Sequence, residues 1–243
     1  MQIDKTNNLL ELFYEQYQKQ NKESTFLQSL KEPKQKYSWE DVYLNINKLS
    51  EEISKHIKKG ERCLLISENR PEWMISDLSI MLSGGVTVPA YTTYTERDYE
   101  YIIDDCTPAI IIISDKNQYK KIKNIIPKKK FIKKIIFFEE VENINEELYL
   151  KAHDIFKKKL SKNQNFFDLK IERKDMACII YTSGTQGNPK GVMLSHGGIL
   201  NNCEGAYELL KNFITKRPKF LTWLPLSHSY EHTVQFVQIV VGA

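Results

Sequence analysis

Residues 37–91 read YSWEDVYLNINKLSEEISKHIKKGERCLLISENRPEWMISDLSIMLSGGVTVPAY, and this stretch decides the fold class. Trp39, Val42, Ile46, Leu49, Ile53 and Ile57 recur at spacings of three and four, the period of an amphipathic helix. Ser38 and Asp41 stand where a capping box opens a helix, and Gly60 supplies a stop. The run RCLLIS (62–67) has no polar alternation, as expected of a strand covered on both faces. A second helical pattern follows from residue 69 to the pair Gly84–Gly85, with Pro71 in its first turn, and then the strand-like VTVPAY (86–91).

Working outward, the alternation continues. ERDYEYIIDDC (96–106) is helical, AIIIIS (109–114) strand-like, KNQYKKIKNII (116–126) helical and KKIIFF (133–138) strand-like. NNLLELFYEQYQKQ (7–20) also has helical spacing. Apolar strands separated by about 10–15 residues of helix predict an α/β fold, a parallel sheet with helices on both faces. Right-handed crossovers place the loops that follow the strands along one carboxyl edge, where such folds bind ligands. Residues 139–173 are polar and irregular, with one weak helix near YLKAHDIFKKKL (149–160), and read as an insertion or subdomain junction.

Composition narrows the function. A 243-residue chain with 41% hydrophobic residues buries a large core, and a net charge of +4 made from 35 basic and 31 acidic residues does not mark a nucleic-acid binder. Cys63, Cys106, Cys178 and Cys203 are scattered, which fits reduced thiols in the cytoplasm better than disulfides or a zinc site. The first residues lack a signal-peptide layout, and no apolar run approaches the roughly 18 residues of a membrane span. The lysine-rich KKKFIKK (128–134) is read as a solvated turn anchored by Phe131 and Ile132, with peripheral contact to a membrane surface as the alternative.

The chemistry concentrates in IIYTSGTQGNPKGVMLSH, residues 179–196. MACIIYTS (176–183) has strand composition and HGGILNNCEGAYELLKNF (196–213) helical character, so a loop is expected between strand and helix. Gly184 and Gly187 leave backbone N–H groups open to an anion, Thr182, Ser183 and Thr185 add hydroxyls, and Lys190 adds a mobile positive charge. The order Pro189-Lys190-Gly191 is not a Walker A ending, and glycines at 184, 187 and 191 do not make G-x-G-x-x-G.

YTSGTQGNPKGV resembles the signature loop of the adenylate-forming (AMP-binding) acyl-CoA synthetases, Tyr-Thr-Ser-Gly-Thr-Thr-Gly-x-Pro-Lys-Gly-Val, and departs from it at Gln186. ENRPEWMISDLSIMLSGGVTVPAYTTYT (68–95) and WLPLSHSYEH (223–232) are similar to segments of the long-chain fatty-acid branch, where His232 replaces the usual Arg. The resemblance covers roughly residues 37–243 and implies the first half of the large domain of that family, so that 1–243 would be a partial AMP-binding domain. It implies ATP, Mg²⁺, coenzyme A and a fatty acid as reactants. Thr182, Ser183, Gly184, Thr185, Gln186, Gly187 and Lys190 would hold phosphates, with His228 and Glu231 at the acyl site. His228 has a plainer reading as a polar residue capping the end of a strand, FLTWLPLS (220–227). The family's later motifs and its C-terminal domain with the catalytic lysine are not in these residues, so no catalytic residue is assigned. The chain alone is expected neither to adenylate fatty acids nor to bind ATP tightly; a complementing C-terminal partner would restore the rest.

Two other readings stand beside this one. The chain could be a residual binding or regulatory module from a decayed synthetase gene. His228, Glu231 and His232 also spell H-x-x-E-H, a zinc-protease pattern when it lies on a helix. Against zinc, LPLS before His228 reads as strand running into loop, and TVQFVQIVVGA (233–243) offers no third ligand.

Overall fold

A computed structural model describes residues 3–31, 34–139, 147–161, 170–182, 189–215 and 218–243. The chain opens with helix α1 (Leu9–Lys19), whose N-cap Asn8 accepts hydrogen bonds from the N–H groups of Leu10 and Glu11. An unforeseen small antiparallel hairpin follows, β1 (Thr25–Gln28) and β2 (Lys36–Ser38). Helix α2 (Trp39–Ser54) begins with the expected capping box of Ser38 and Asp41. The alternation then runs β3 (Arg62–Ile66), α3 (Pro71–Leu82), β4 (Val86–Ala90), α4 (Glu96–Cys106), β5 (Ile110–Ile113), α5 (Lys116–Ile122) and β6 (Lys134–Phe137). Residues 126–128 form a separate 3-10 turn, so the helix expected over 116–126 is shorter than its pattern.

Within the irregular 139–173 stretch, the described residues hold a short strand β7 (Tyr149–Lys151) and helix α6 (Ala152–Lys157). β8 (Met176–Thr182), β9 (Lys190–Ser195), α7 (His196–Leu210) and α8 (Ser229–Val241) complete the chain.

Seven strands form one sheet in the order β7-β6-β5-β3-β4-β8-β9. Its pairs are parallel, as expected, except the last: β8 and β9 are antiparallel. The sheet is therefore mixed, because a short hairpin and not a helical crossover joins its final two strands.

The two faces are covered unequally. Cys63, Leu65, Ile110 and Ile112 point into the larger core, packed by α1, α2, α3, α6, α7 and α8. Their neighbours Leu64, Ile66, Ile111 and Ile113 point the other way, into a core closed by α4 and α5. Unbroken apolar strands were the right signal for this burial on both faces.

α1 lies in the larger core, against α7 and α8. Beside it Trp39 stacks on Phe26 with ring centroids 3.8 Å apart and on Phe13 at 6.0 Å, tying α1, β1 and α2 together. No helix among the described residues is long and apolar enough to cross a membrane.

Candidate active site

β8 brings the signature loop to the sheet edge. Its register with β9 sets Thr182 opposite Lys190, so the first and last loop-gripping positions face each other across the mouth of a hairpin. Both are exposed. Ser183, Gly184, Thr185, Gln186 and Gly187 lie outside the described residues. The expectation that the loop joins strand to helix is corrected here. Residues 190–195 pair as a strand before α7 begins, because the backbone groups of KGVMLS bond back to β8.

One pair below the mouth, Tyr181 faces Gly191. A Cβ on Gly191 would lie 2.9 Å from Ile179 Cγ2 and 3.3 Å from Tyr181 Cζ, so the glycine leaves room for the Tyr181 ring crossing over it. The Tyr181 hydroxyl donates to Asp105 Oδ2 on α4, and burial, followed by that carboxylate, pushes the phenol pKa up. The strand pair just below Thr182 and Lys190 is thus tied through the Tyr181 side chain to α4. Gly191→Val is expected to lower stability by about 1–3 kcal/mol through overpacking, read as the urea midpoint. An unchanged midpoint would show that the ring does not need this space.

The second candidate region departs from its expected structure. FLTWLPLS is not a strand; residues 218–228 carry no regular element among the described residues. A side chain holds them instead. Asn69, just after β3, donates from Nδ2 to the carbonyls of Leu224 (2.6 Å) and Thr222 (3.3 Å), and its Oδ1 accepts from Leu226 N–H (2.9 Å). Pro225 interrupts the run, which breaks a strand ladder. Asn69 was not singled out in the sequence, though it sits in the ENRPEW stretch; it physically joins that stretch to WLPLSH. Asn69→Ala removes all three bonds and is expected to cost about 1–3 kcal/mol, with increased amide exchange confined to residues 220–228. Exchange spread evenly over the molecule would argue against a local clamp.

His228 is the N-cap of α8; its Nδ1 accepts from Tyr230 N–H at 3.2 Å. The capping part of its plainer reading fits, but it caps the start of a helix and not the end of a strand. His228 is exposed and Glu231 is buried (3% exposed), with burial raising the Glu231 carboxyl pKa.

His232 is fully buried. Its Nε2 lies 2.9 Å from Asp77 Oδ2 on α3, and its Nδ1 3.7 Å from Cys178 Sγ on β8. Gln235 donates to the same Asp77 oxygen at 2.8 Å. Burial opposes protonation of this imidazole, but Cys178 and Asp77 on its two sides outweigh it and raise the pKa to about 10. The ring thus sits between a carboxylate and a sulfur, both of which favour its protonated form.

This geometry also disposes of the H-x-x-E-H reading. Glu231 and His232 do lie on a helix, but LPLS is irregular and not a strand, and His228 only caps that helix. The expectation that the motif does not sit inside a helix therefore holds for its first histidine. What excludes a shared zinc is that both His232 nitrogens are engaged inside the core while His228 faces outward and caps. Among the described residues, no group of three or more His, Cys, Asp or Glu side chains is arranged to hold a metal.

A groove of about 1330 Å³ opens beside this region, at the carboxyl ends of β3 and β4. Leu30, Leu221 and Trp223 line it while remaining largely exposed, and Gln235 and Gln238 of α8 form part of its wall. The groove and the hairpin mouth carrying Thr182 and Lys190 both lie at the carboxyl edge of the parallel strands, where α/β sheets bind ligands.

The chain belongs to the AMP-binding enzyme family, whose model matches residues 13–243. Among its relatives, Long chain acyl-CoA synthetase 3 of Arabidopsis thaliana is 31% identical over 224 residues, which are 86% of this chain and 33% of that protein. Long-chain-fatty-acid–CoA ligase 1 of Homo sapiens is 26% identical over 88% of this chain and 33% of that protein. The chain thus spans about a third of the length of the curated relatives it matches.

Solved structures share the fold. The anthranilate CoA ligase AuaEII in complex with anthranoyl-AMP superposes with a TM-score of 0.81 at 18% identity, over 100% of this chain and 46% of that one. ATP-bound MatB from Rhodopseudomonas palustris gives 0.71 at 20% identity, over 97% and 44%.

Proposed function

We propose that this chain forms the phosphate-gripping part of an ATP-dependent long-chain fatty-acid–CoA ligase. The observation that carries the reading is the hairpin whose mouth sets Thr182 against Lys190, within a chain that matches the AMP-binding family almost throughout. In the reaction, a carboxylate oxygen attacks the α-phosphorus of ATP and pyrophosphate leaves. The thiol of coenzyme A then attacks the acyl carbon, and AMP departs. Lys190, with Thr182 and the loop positions 183–187, stabilises negative charge as it gathers on the departing pyrophosphate. His228, presented at the start of α8, faces the acyl carboxylate, and the apolar groove receives the alkyl chain. Buried Glu231 supports that helix start from behind.

Among the described residues no group of acidic side chains is arranged to hold Mg²⁺. The chain matches about a third of its relatives' length, and the roles proposed for its residues are confined to holding phosphate and the acyl group. The four cysteines, all buried free thiols, suit a cytoplasmic setting.

Pyrophosphate itself tests the reading. Titrated into the chain, it is expected to shift the amide signals of Thr182 and Lys190 with saturation near the millimolar range. Lys190→Ala should weaken binding about tenfold or more, as loss of one charge-assisted contact does. Shifts that never saturate, or binding indifferent to Lys190, would remove the basis for this function.

A further inference from the structure

We propose that the outer surface of α5 and the turn after it is a docking face for an anionic lipid bilayer. Residues 116–138 contain nine lysines and not one aspartate or glutamate. The structure sorts this segment cleanly. Ile122, Ile125, Ile126 and Ile132 are buried in the smaller core. Lys116, Lys120, Lys123, Lys128 and Lys130 are exposed.

Four further lysines are spoken for: Lys129 pairs with Asp104, Lys133 with Glu61, and Lys121 and Lys134 donate to backbone carbonyls. The five exposed ones have no ion-pair or hydrogen-bond partner among the described residues. Lys116, Lys120 and Lys123 recur at the spacing of one face of α5. The acids that touch this segment are already engaged, Asp115 in capping α5, Glu96 with Asn124 and Asp104 with Lys129. The ammonium groups left over are what a charged plane attracts, each adding to the pull within a Debye length.

The shape of the patch selects the partner. None of the five lysines lines either of the two clefts at the carboxyl edge, so they do not converge on a small anion. The segment contains no arginine, and its aromatic rings are turned inward: Tyr119 bonds Tyr149 and packs on Phe137, and Phe131 is half-buried. Base edges and base faces are read by arginine and by open aromatic rings. A dispersed set of ammonium groups, without those features, fits lipid phosphates spread over a surface.

Co-sedimentation of the 243-residue chain with vesicles tests this. Binding is expected to vesicles holding about 30% phosphatidylserine at about 0.1 M salt, with release at about 0.5 M. None is expected to phosphatidylcholine alone. Changing Lys116, Lys120, Lys123, Lys128 and Lys130 together to Gln should lower partitioning at least about tenfold. An equal charge change at Lys19, Lys157, Lys159, Lys170 and Lys174 should leave it within about twofold. Circular dichroism confirms that both variants fold.

Four results would each overturn the proposal: no binding to the anionic vesicles, equal binding to neutral ones, equal loss in the two variants, or retention in the first. A short DNA duplex bound as tightly through the same five lysines would assign the face to nucleic acid and overturn it as well.

Discussion

Asp77→Ala is expected to destabilise the protein by about 3–5 kcal/mol, because it strands a buried imidazolium without its counter-charge. His232 and Asp77 are both fully buried, and their contact spans three elements: α3 through Asp77, α8 through His232 and Gln235, and β8 through Cys178. Asp77 Oδ1 and Gln235 Oε1 have no partner among the described residues, so the cluster is not fully satisfied even when intact. A buried pair of this kind often does no better than an apolar substitute of similar size. The double change Asp77→Leu with His232→Leu should therefore recover most of the loss.

The titration has a defined sign. A histidine whose pKa rises from about 6.5 to about 10 on folding contributes fully below pH 6.5 and loses that contribution as pH rises toward 10. Urea midpoints between pH 6.5 and 10 should fall in the wild type and fall less in His232→Leu. Equal slopes, or a single Asp77→Ala variant as stable as the parent, would show that the pair is not charged in the folded state.

A second histidine works in the opposite direction. His196, at the start of α7, is 2% exposed, and its Nδ1 accepts a hydrogen bond from Leu9 N–H at 3.3 Å. That bond needs the neutral ring, since a proton on Nδ1 would face the amide hydrogen. Burial lowers the pKa to about 4, against weaker opposing pulls from Asp175 and Asp77.

For a base depressed in this way, stability is full above about pH 6.5 and is lost as pH falls toward 4. Between those limits the loss amounts to about 3 kcal/mol, at 1.36 kcal/mol per unit. The window from 6.5 to 4.5 lies above the lowered carboxylates, such as Glu52 at about 2. His196→Leu should flatten the midpoint there; a wild-type midpoint that stays level from pH 7 to 4.5 would refute the assignment.

Much of this architecture could be read in the sequence because local rules agreed with the global fold. α4 runs over 96–106 as its pattern indicated, and Ser38, Asp41 and Pro71 start their helices where capping rules place them. The misses have physical causes. β9 is an edge strand whose first four residues are exposed, so it shows neither the apolar run of a central strand nor a clean alternation.

FLTWLPLS has strand composition, but its backbone partner is the Asn69 side chain, more than 150 residues away. No local propensity encodes such a partner. The same distance hides the Asp77–His232 contact, 155 residues apart in sequence. Its one outward sign was a histidine where the resembling family has arginine. Of the expected phosphate loop, Ser183 to Gly187 lie outside the described residues; beside Thr182 and Lys190 the structure adds the packing of the Tyr181 ring over Gly191.

The seating of α1 on α7 and α8 bears on synthesis at the ribosome. Residues 9–19 emerge well before the surfaces they need: His196 lies 187 residues beyond Leu9, and the far end of α8 later still. β3 to β6 can meanwhile assemble from neighbouring βαβ units, whereas the opening helix must wait with Leu9, Leu10, Leu12 and Phe13 uncovered. Such long-range closure is slow and leaves apolar surface open in the interim. The nascent chain is thus a natural client for chaperones that shield early hydrophobic segments, and slowing translation should prolong that exposure.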